Sequence, residues 1–176
     1  MTSKIKAIIF DMDGVLIEAK DWHYKALNRA LGIFGYTISR YDHLVTYDGL
    51  PTIIKLDMLT REKNMPIHLH EFINELKQKY TMELVHTYCK PRFYHEYALS
   101  RLKSEGYMLG CASNSIKESI EVMLLKSNLI KYMDVIYSAQ DVLKPKPDPD
   151  IYIKAISTLG MTPEELRDML FLHAQL

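Results

Sequence analysis

The sequence predicts a doubly wound parallel α/β core, residues 1–17 and 91–176, interrupted by an all-helical insertion over residues 18–90. Three observations lead there. A short run rich in β-branched residues, from Ile5 to Phe10, stops at Asp11-Met12-Asp13-Gly14. A continuous apolar run bounded by turn residues suits a central strand buried on both faces. The stretch that follows, as far as Pro91, carries its apolar residues at helical spacing. Beyond Pro91 helix and strand patterns alternate, and repeated strand–helix units imply a parallel sheet with right-handed crossovers.

In the insertion, Asp21 is placed to cap a helix with Trp22, Ala26, Leu27, Ala30 and Leu31 on one face and Gly32 at its end. Leu56, Met58 and Leu59 mark a second helix. Pro66 opens a third, with Phe72, Ile73, Leu76, Tyr80, Leu84 and Val85 at helical spacing, and Pro91 marks the end of the stretch. The core then resumes with a helix over 93–104 stopped by Gly106, a strand over 107–112, a helix over 115–126 and a short strand over 135–138. Asp148 is placed to cap a further helix that takes Pro149 in its first turn and ends at Gly160. Thr162-Pro163-Glu164-Glu165 has capping-box spacing, and residues 169–173 suit a last strand.

With 48% hydrophobic and 25% charged residues over 176 positions, the composition is that of a soluble globular protein able to bury a core without disulfides. Lysine plus arginine balances aspartate plus glutamate, 22 against 22, so there is no electrostatic reason to expect nucleic acid or an anionic membrane as partner. Cys89 and Cys111 lack metal-ligand spacing and are expected to be reduced thiols. The N-terminal apolar run is too short for a signal-peptide core, and no stretch approaches the roughly 18 apolar residues of a membrane span. The expectation is a cytoplasmic protein.

Open parallel sheets bind ligands beyond the carboxyl ends of their strands, and three such ends carry reactive side chains. Asp11 can attack phosphorus and form an aspartyl phosphate. Asp13 can protonate the leaving oxygen and then activate water. The two carboxylates also attract Mg²⁺, and Gly14 lets the chain turn sharply beside a phosphate. Ser113-Asn114-Ser115 opens a helix after the second strand, where a hydroxyl and backbone N–H groups suit phosphate. After the third strand, Lys144 sits in the stiff segment Lys144-Pro145-Lys146-Pro147 and is the candidate cation for the nucleophile and the transferring group. His68 and His70 are not read as a metal pair, because helical positions i and i+2 do not share a face.

The order and placement of these segments resemble the haloacid dehalogenase superfamily. Asp11-Met12-Asp13-Gly14-Val15 resembles its first motif, Ser113-Asn114 its second and Lys144-Pro145-x-Pro147 its third. The helical insertion resembles its C1 cap. Asp148-Pro149-Asp150-Ile151-Tyr152 and Thr162-Pro163-Glu164-Glu165 resemble segments of the β-phosphoglucomutase-like branch. The resemblance implies a Rossmannoid core with an inserted cap, catalysis by Asp11, Asp13 and Lys144, phosphate or substrate contacts from Gly14, Ser113 and Asn114, and Mg²⁺ held by Asp11 and Asp13. It also implies a phosphatase of a small phosphorylated metabolite, with a sugar phosphate as first choice. Family dehalogenases place no aspartate at the position of Asp13, which favours phosphate transfer over carbon–halogen cleavage.

The same resemblance assigns His23 to the cleft and Thr52 to the cap's substrate loop, Tyr47-Asp48-Gly49-Leu50-Pro51-Thr52. The mutases of the branch have an arginine where Thr52 stands, so an isomerase is the second reading. The fourth motif, an acidic pair after the fourth strand, would fall at His173 and Ala174, with Asp168 at the strand's other end. That departure implies a truncated or degenerate C-terminus, and a third reading as a catalytically impaired phosphate-binding protein. The sequence does not indicate an oligomeric state.

Overall fold

The structure, a computed structural model, describes residues 5–160 and the backbone of Met169–Leu172. Its sheet has four parallel strands: β1 (Ala7–Phe10), β2 (Met108–Ala112), β3 (Val135–Tyr137) and β4 (Met169–Leu172), in the order β3-β2-β1-β4. β1 is interior to the sheet and all four of its residues are buried, which accounts for its uninterrupted apolar run. Ile9 lies opposite Gly110 on one side and Phe171 on the other. A Cβ at Gly110 would sit 2.5 Å from Ile9 Cδ1 and 2.9 Å from Val135 Cγ2, so β2 needs a bare Cα for its neighbours to close on it. The chain steps from β1 to β2 to β3 in one direction and then crosses back to β4. That reversal puts the carboxyl end of β1 at the crevice where open α/β sheets take their ligands.

The chain divides into two compact units, one comprising residues up to Glu18 and from Cys89 onward, the other Ala19–Tyr88. Helices α1 (Lys20–Gly32), α2 (Arg40–Asp42), α3 (Thr52–Lys63) and α4 (His70–Tyr88) belong to the second unit. Helices α5 (Phe93–Ser104), α6 (Lys117–Lys126) and α7 (Asp150–Thr158) belong to the first, with the sheet. In the α/β unit Ala7 and Ile9 of β1 and Ala112 of β2 cluster with Ile151, Ala155 and Ile156 of α7. Cys89 and Cys111 are free and buried. The helical unit has its own core, in which Leu27, Leu31, Ile38, Leu56, Leu59 and Ile73 are almost wholly buried. Each such side chain contributes roughly 1.5–3 kcal/mol by leaving water.

Helix beginnings differ from expectation for local reasons. α1 starts at Lys20 with Ala19 as its N-cap. Asp21 lies in the first turn and pairs instead with Arg40 at 2.6 Å and Lys25 at 3.8 Å. α6 starts at Lys117 rather than Ser115, and the Lys117 N–H donates to Gln140 Oε1 at 2.9 Å. α7 starts at Asp150 with Pro149 as N-cap, while Asp148 Oδ1 accepts the Asp150 N–H at 3.3 Å. The segment Thr162–Glu165 lies outside the described residues.

Several polar side chains are buried in the helical unit, among them His70, His43 and Lys55. His70 bridges α4 to α3, with Nε2 2.7 Å from Thr60 Oγ1 and Nδ1 3.5 Å from Asp57 Oδ1. His43, in a wide π-type turn spanning His43–Tyr47, stacks obliquely on Tyr24 at 4.6 Å. Its Nε2 is 3.8 Å from Asp48 Oδ1, and its buried Nδ1 has no hydrogen-bond partner among the described residues. Burial holds its pKa below the usual histidine value, and the charge of Lys55 adds to that. Lys55 is itself buried, and its ammonium makes no hydrogen bond or ion pair among the described residues. Burial pulls its pKa down, opposed by the charge of Asp48. Among the described residues no helix is long and apolar enough to cross a membrane.

Candidate active site

The loop leaving β1 is folded back on itself. The Met12 carbonyl accepts the N–H groups of Val15, Leu16 and Ile17 at 3.3, 3.0 and 3.0 Å, and Gly14 N–H returns to the Ile17 carbonyl at 2.7 Å. Gly14 takes φ 85°, a left-handed conformation that suits glycine. Met12 is fully buried beneath the loop. The alternation of the extended chain therefore turns Met12 into the core and leaves Asp11 and Asp13, one residue to either side, partly exposed at the strand end.

Asp11 Oδ1 accepts the Met12 N–H at 2.8 Å and the Lys146 ammonium at 2.7 Å. Both bonds fall on Oδ1. The Lys146 ammonium also donates to the Ala112 carbonyl at the end of β2, at 3.0 Å. The side chains of this pair are 14% and 19% exposed, so the attraction is screened less than at the surface. Asp13 Oδ2 lies 3.5 Å from Ser113 Oγ and 3.4 Å from Ser115 Oγ, long contacts in which both hydroxyls face the carboxylate. Ser113 is fully buried, and its Oγ accepts the Ser115 N–H at 3.1 Å. Burial and then the charge of Asp11 push the Tyr152 hydroxyl up to about 12. Burial, reinforced by Asp11 and Asp13, also pushes the Cys111 thiol up, which keeps it an inert neighbour.

The structure brings Asp11, Asp13, Ser113 and Asn114 to one edge of the sheet, but two sequence expectations change there. The lysine at Asp11 is Lys146 and not Lys144. Lys144 points outward, with a side chain 72% exposed and, among the described residues, an ion pair only to Asp148 at 4.0 Å. The pattern Lys-Pro-x-Pro occurs twice in overlap, starting at Lys144 and at Lys146. The second lysine has its backbone bonded to Asn114, just beyond β2, and its ammonium on Asp11. The signal was therefore present in the sequence but was read in the wrong frame. Asn114 was expected to contact phosphate. Its side chain is instead engaged by the loop: Nδ2 donates to the Lys146 carbonyl at 2.9 Å, and Oδ1 accepts the Lys146 N–H at 3.0 Å. Ser115, read with Ser113 and Asn114 as part of a phosphate-binding helix start, faces Asp13, and Tyr152, named only within the Asp148–Tyr152 segment, is a site neighbour without an expected role.

His23 and Thr52 lie in the helical unit. His23 is partly buried on α1, its N–H bonded to the Ala19 carbonyl at 3.0 Å, and Thr52 is the first residue of α3. In the segment before Thr52, Tyr47 is buried and donates to Glu62 Oε2 at 2.9 Å, while Asp48 lies 3.6 Å from Lys20. His173 and Ala174, the positions of the fourth motif, lie outside the described residues.

A sequence profile described as haloacid dehalogenase-like hydrolase matches residues 8–167. Over 161 residues the chain is 29% identical to a phosphoglycolate phosphatase of Aquifex aeolicus (strain VF5), covering 92% of this chain and 73% of that protein. A phosphorylated carbohydrates phosphatase of Thermotoga maritima is 28% identical over 167 residues, with 92% and 74% covered. Among solved structures, CbbY from Rhodobacter sphaeroides in complex with xylulose-(1,5)bisphosphate matches with a TM-score of 0.82 at 22% identity, over 95% of this chain and 76% of that one. A β-phosphoglucomutase from Clostridium difficile matches with a TM-score of 0.79 at 24% identity, over 96% and 76%. At these identities the two structures share the fold.

Proposed function

The chain belongs to the haloacid dehalogenase-like hydrolase family, and on that premise we propose that it is a Mg²⁺-dependent phosphatase of a small phosphorylated metabolite, with a sugar phosphate as the leading substrate. The observation that carries this reading is Asp11 at the carboxyl end of β1, 2.7 Å from the Lys146 ammonium, with Asp13 two residues on. A carboxylate oxygen of Asp11 attacks phosphorus, and the bond to the leaving oxygen breaks as Asp13, protonated, delivers its proton there. Water then gives a proton to the Asp13 carboxylate and attacks the aspartyl phosphate, which releases phosphate and restores Asp11. The Lys146 ammonium offsets negative charge at Asp11 throughout. The Ser113 and Ser115 hydroxyls orient Asp13, and Gly14 keeps the loop close to the phosphoryl group.

Asp11 and Asp13 offer hard carboxylate oxygens, the donor chemistry Mg²⁺ takes. The Asp11 carboxylate and the backbone carbonyl of Asp13 are the proposed protein ligands, which leaves the Asp13 carboxyl for proton transfer. The ion supplies Lewis-acid charge neutralisation at the phosphoryl oxygens when bound.

Substrate choice is assigned to the helical unit, with His23 and Thr52 as the residues to vary. Thr52 at the position of the mutase arginine places hydrolysis ahead of isomerisation. The two free, buried thiols support a cytoplasmic enzyme.

The test is a phosphatase screen over phosphorylated metabolites with and without Mg²⁺. Turnover that needs Mg²⁺ is expected, and Asp11→Asn should abolish it because an amide is a poor nucleophile. Asp13→Asn should slow hydrolysis of the acyl phosphate more than its formation, so that ³²P label accumulates on the protein. Undiminished turnover in Asp11→Asn sinks the mechanism.

A further inference from the structure

We propose that Asn114 is a positioning residue, whose side-chain amide clamps the backbone of Lys146 and so delivers that lysine's ammonium to Asp11. The inference rests on the phosphatase reading for its catalytic consequence and on geometry for everything else. Asn114 gives one hydrogen bond to Lys146 and takes one back, Nδ2 to the carbonyl at 2.9 Å and Oδ1 from the N–H at 3.0 Å. This is the reciprocal pairing that two residues of adjacent antiparallel strands make, here made by a side chain that imitates a peptide group. At its far end Lys146 is bonded again, from Nζ to Asp11 Oδ1 and to the Ala112 carbonyl. The lysine is therefore fixed through its backbone to Asn114 and through its ammonium to Ala112 and Asp11.

The chemistry explains why an asparagine is used. A lysine loses much side-chain freedom on being ordered, and a mobile backbone would add to that loss. Lys144, two residues earlier in the same loop, lacks such a clamp and stays 72% exposed. A carboxamide presents a donor and an acceptor in one plane, spaced as in a peptide group. Aspartate would keep the bond from the Lys146 N–H but would turn a second acceptor onto the Lys146 carbonyl. Ser113, the preceding residue, faces Asp13. One turn after β2 thus serves both ends of the proposed reaction, Ser113 toward the acid/base and Asn114 toward the nucleophile's counter-charge.

The test compares Asn114→Ala and Asn114→Asp in the full chain, each alone and combined with Lys146→Ala. Asn114→Ala should lower kcat by about 10–100-fold, with KM moving much less, and Asn114→Asp should not rescue it. In the Lys146→Ala background the same change should move kcat by no more than about twofold, because the group it positions is gone. Lysine-selective ¹H–¹⁵N NMR gives a readout independent of turnover. The Lys146 ammonium, held by Asp11 and Ala112, should give a slowly exchanging signal that Lys146→Ala removes and Asn114→Ala broadens away, while the unfolding midpoint shifts little. Equal losses of kcat in both backgrounds would make Asn114 a structural residue only, and a persistent ammonium signal in Asn114→Ala overturns the clamp. If no phosphorylated compound turns over, the phosphatase reading fails and the NMR signal alone decides the clamp.

Discussion

Lys146 and Lys55 are both drawn into the interior, one in the α/β unit and one in the helical unit. The Lys146 side chain is 14% exposed and Lys55 is 9% exposed. Around Lys146 the protein supplies a carboxylate at 2.7 Å and a carbonyl at 3.0 Å, and Asn114 fixes its backbone. Around Lys55 it supplies no hydrogen bond or ion pair among the described residues, and Asp48 acts on it only from farther away. Similar burial therefore has opposite consequences. A partnered ammonium is an oriented charge aimed at one oxygen. An ammonium without a close partner is a desolvated charge whose proton is held less firmly than in water. Burial alone says little about function. What decides is whether the surrounding backbone fixes a partner in place.

The largest expected effect is on the partnered lysine. Lys146→Ala should remove about 2.7–4 kcal/mol of transition-state stabilisation, roughly 10²–10³-fold in kcat, by analogy with losing one preorganised donor. Lys144→Ala, measured beside it, should change kcat by less than about twofold, since its side chain is largely in solvent. Equal losses would mean the loop acts through its general charge, and the contrast between fixed and unfixed lysines would collapse.

Lys55, without a close partner among the described residues, should respond in the opposite sense. Lys55→Met should raise stability in urea by on the order of 1 kcal/mol, because a desolvated charge is exchanged for an apolar side chain of similar length. The sign of the pH dependence follows from the lowered pKa. Between the folded value and 10.5 the unfolded chain holds more protons, so native stability rises with pH across that window. Lys55→Met should abolish that rise. A destabilised Lys55→Met would show that the ammonium has a stabilising partner.

A smaller effect belongs to His43, whose pKa burial lowers below 6.5, with help from Lys55. As pH falls through 6.5 the unfolded chain takes up this proton first, so stability is lost between 6.5 and the folded value and the loss levels off below it. Urea midpoints at about pH 7.5 and about pH 5.5 should differ more for the wild type than for His43→Gln. Identical differences would assign the acid sensitivity to other groups.

What the sequence made legible depended on how local its cause was. β1 and the Asp11-Met12-Asp13-Gly14 turn could be read directly, because burial on both faces demands an unbroken apolar run and the loop demands a glycine. The helix Phe93–Ser104 has the expected bounds, since its periodicity and the turn after it lie within one segment. The choice between Lys144 and Lys146 depends instead on which backbone meets Asn114, 32 residues earlier in the chain. The first turn of α1 differs because Asp21 pairs with Arg40 and Lys25 instead of capping, and α6 begins two residues later than expected, whereas Asp148 Oδ1 does accept the N–H at the start of α7. The His43–Tyr47 turn has no periodicity to announce it, so the buried histidine within it went unnoticed.

Glu18 and Arg92 stand where the chain leaves the sheet and returns to it, joined by a hydrogen bond of 2.8 Å. Both are substantially exposed, so the pair adds little energy. Its meaning is topological. Seen from β1 and β2, everything between those two residues is a single excursion whose ends already touch, and closing such an excursion costs only about 0.6 kcal/mol more for each doubling of its length. The intervening segment can lengthen, shorten or be replaced by recombination without disturbing the register of Ile9 on Gly110. The α/β unit is thus a fixed reaction platform to which selection can attach interchangeable cassettes.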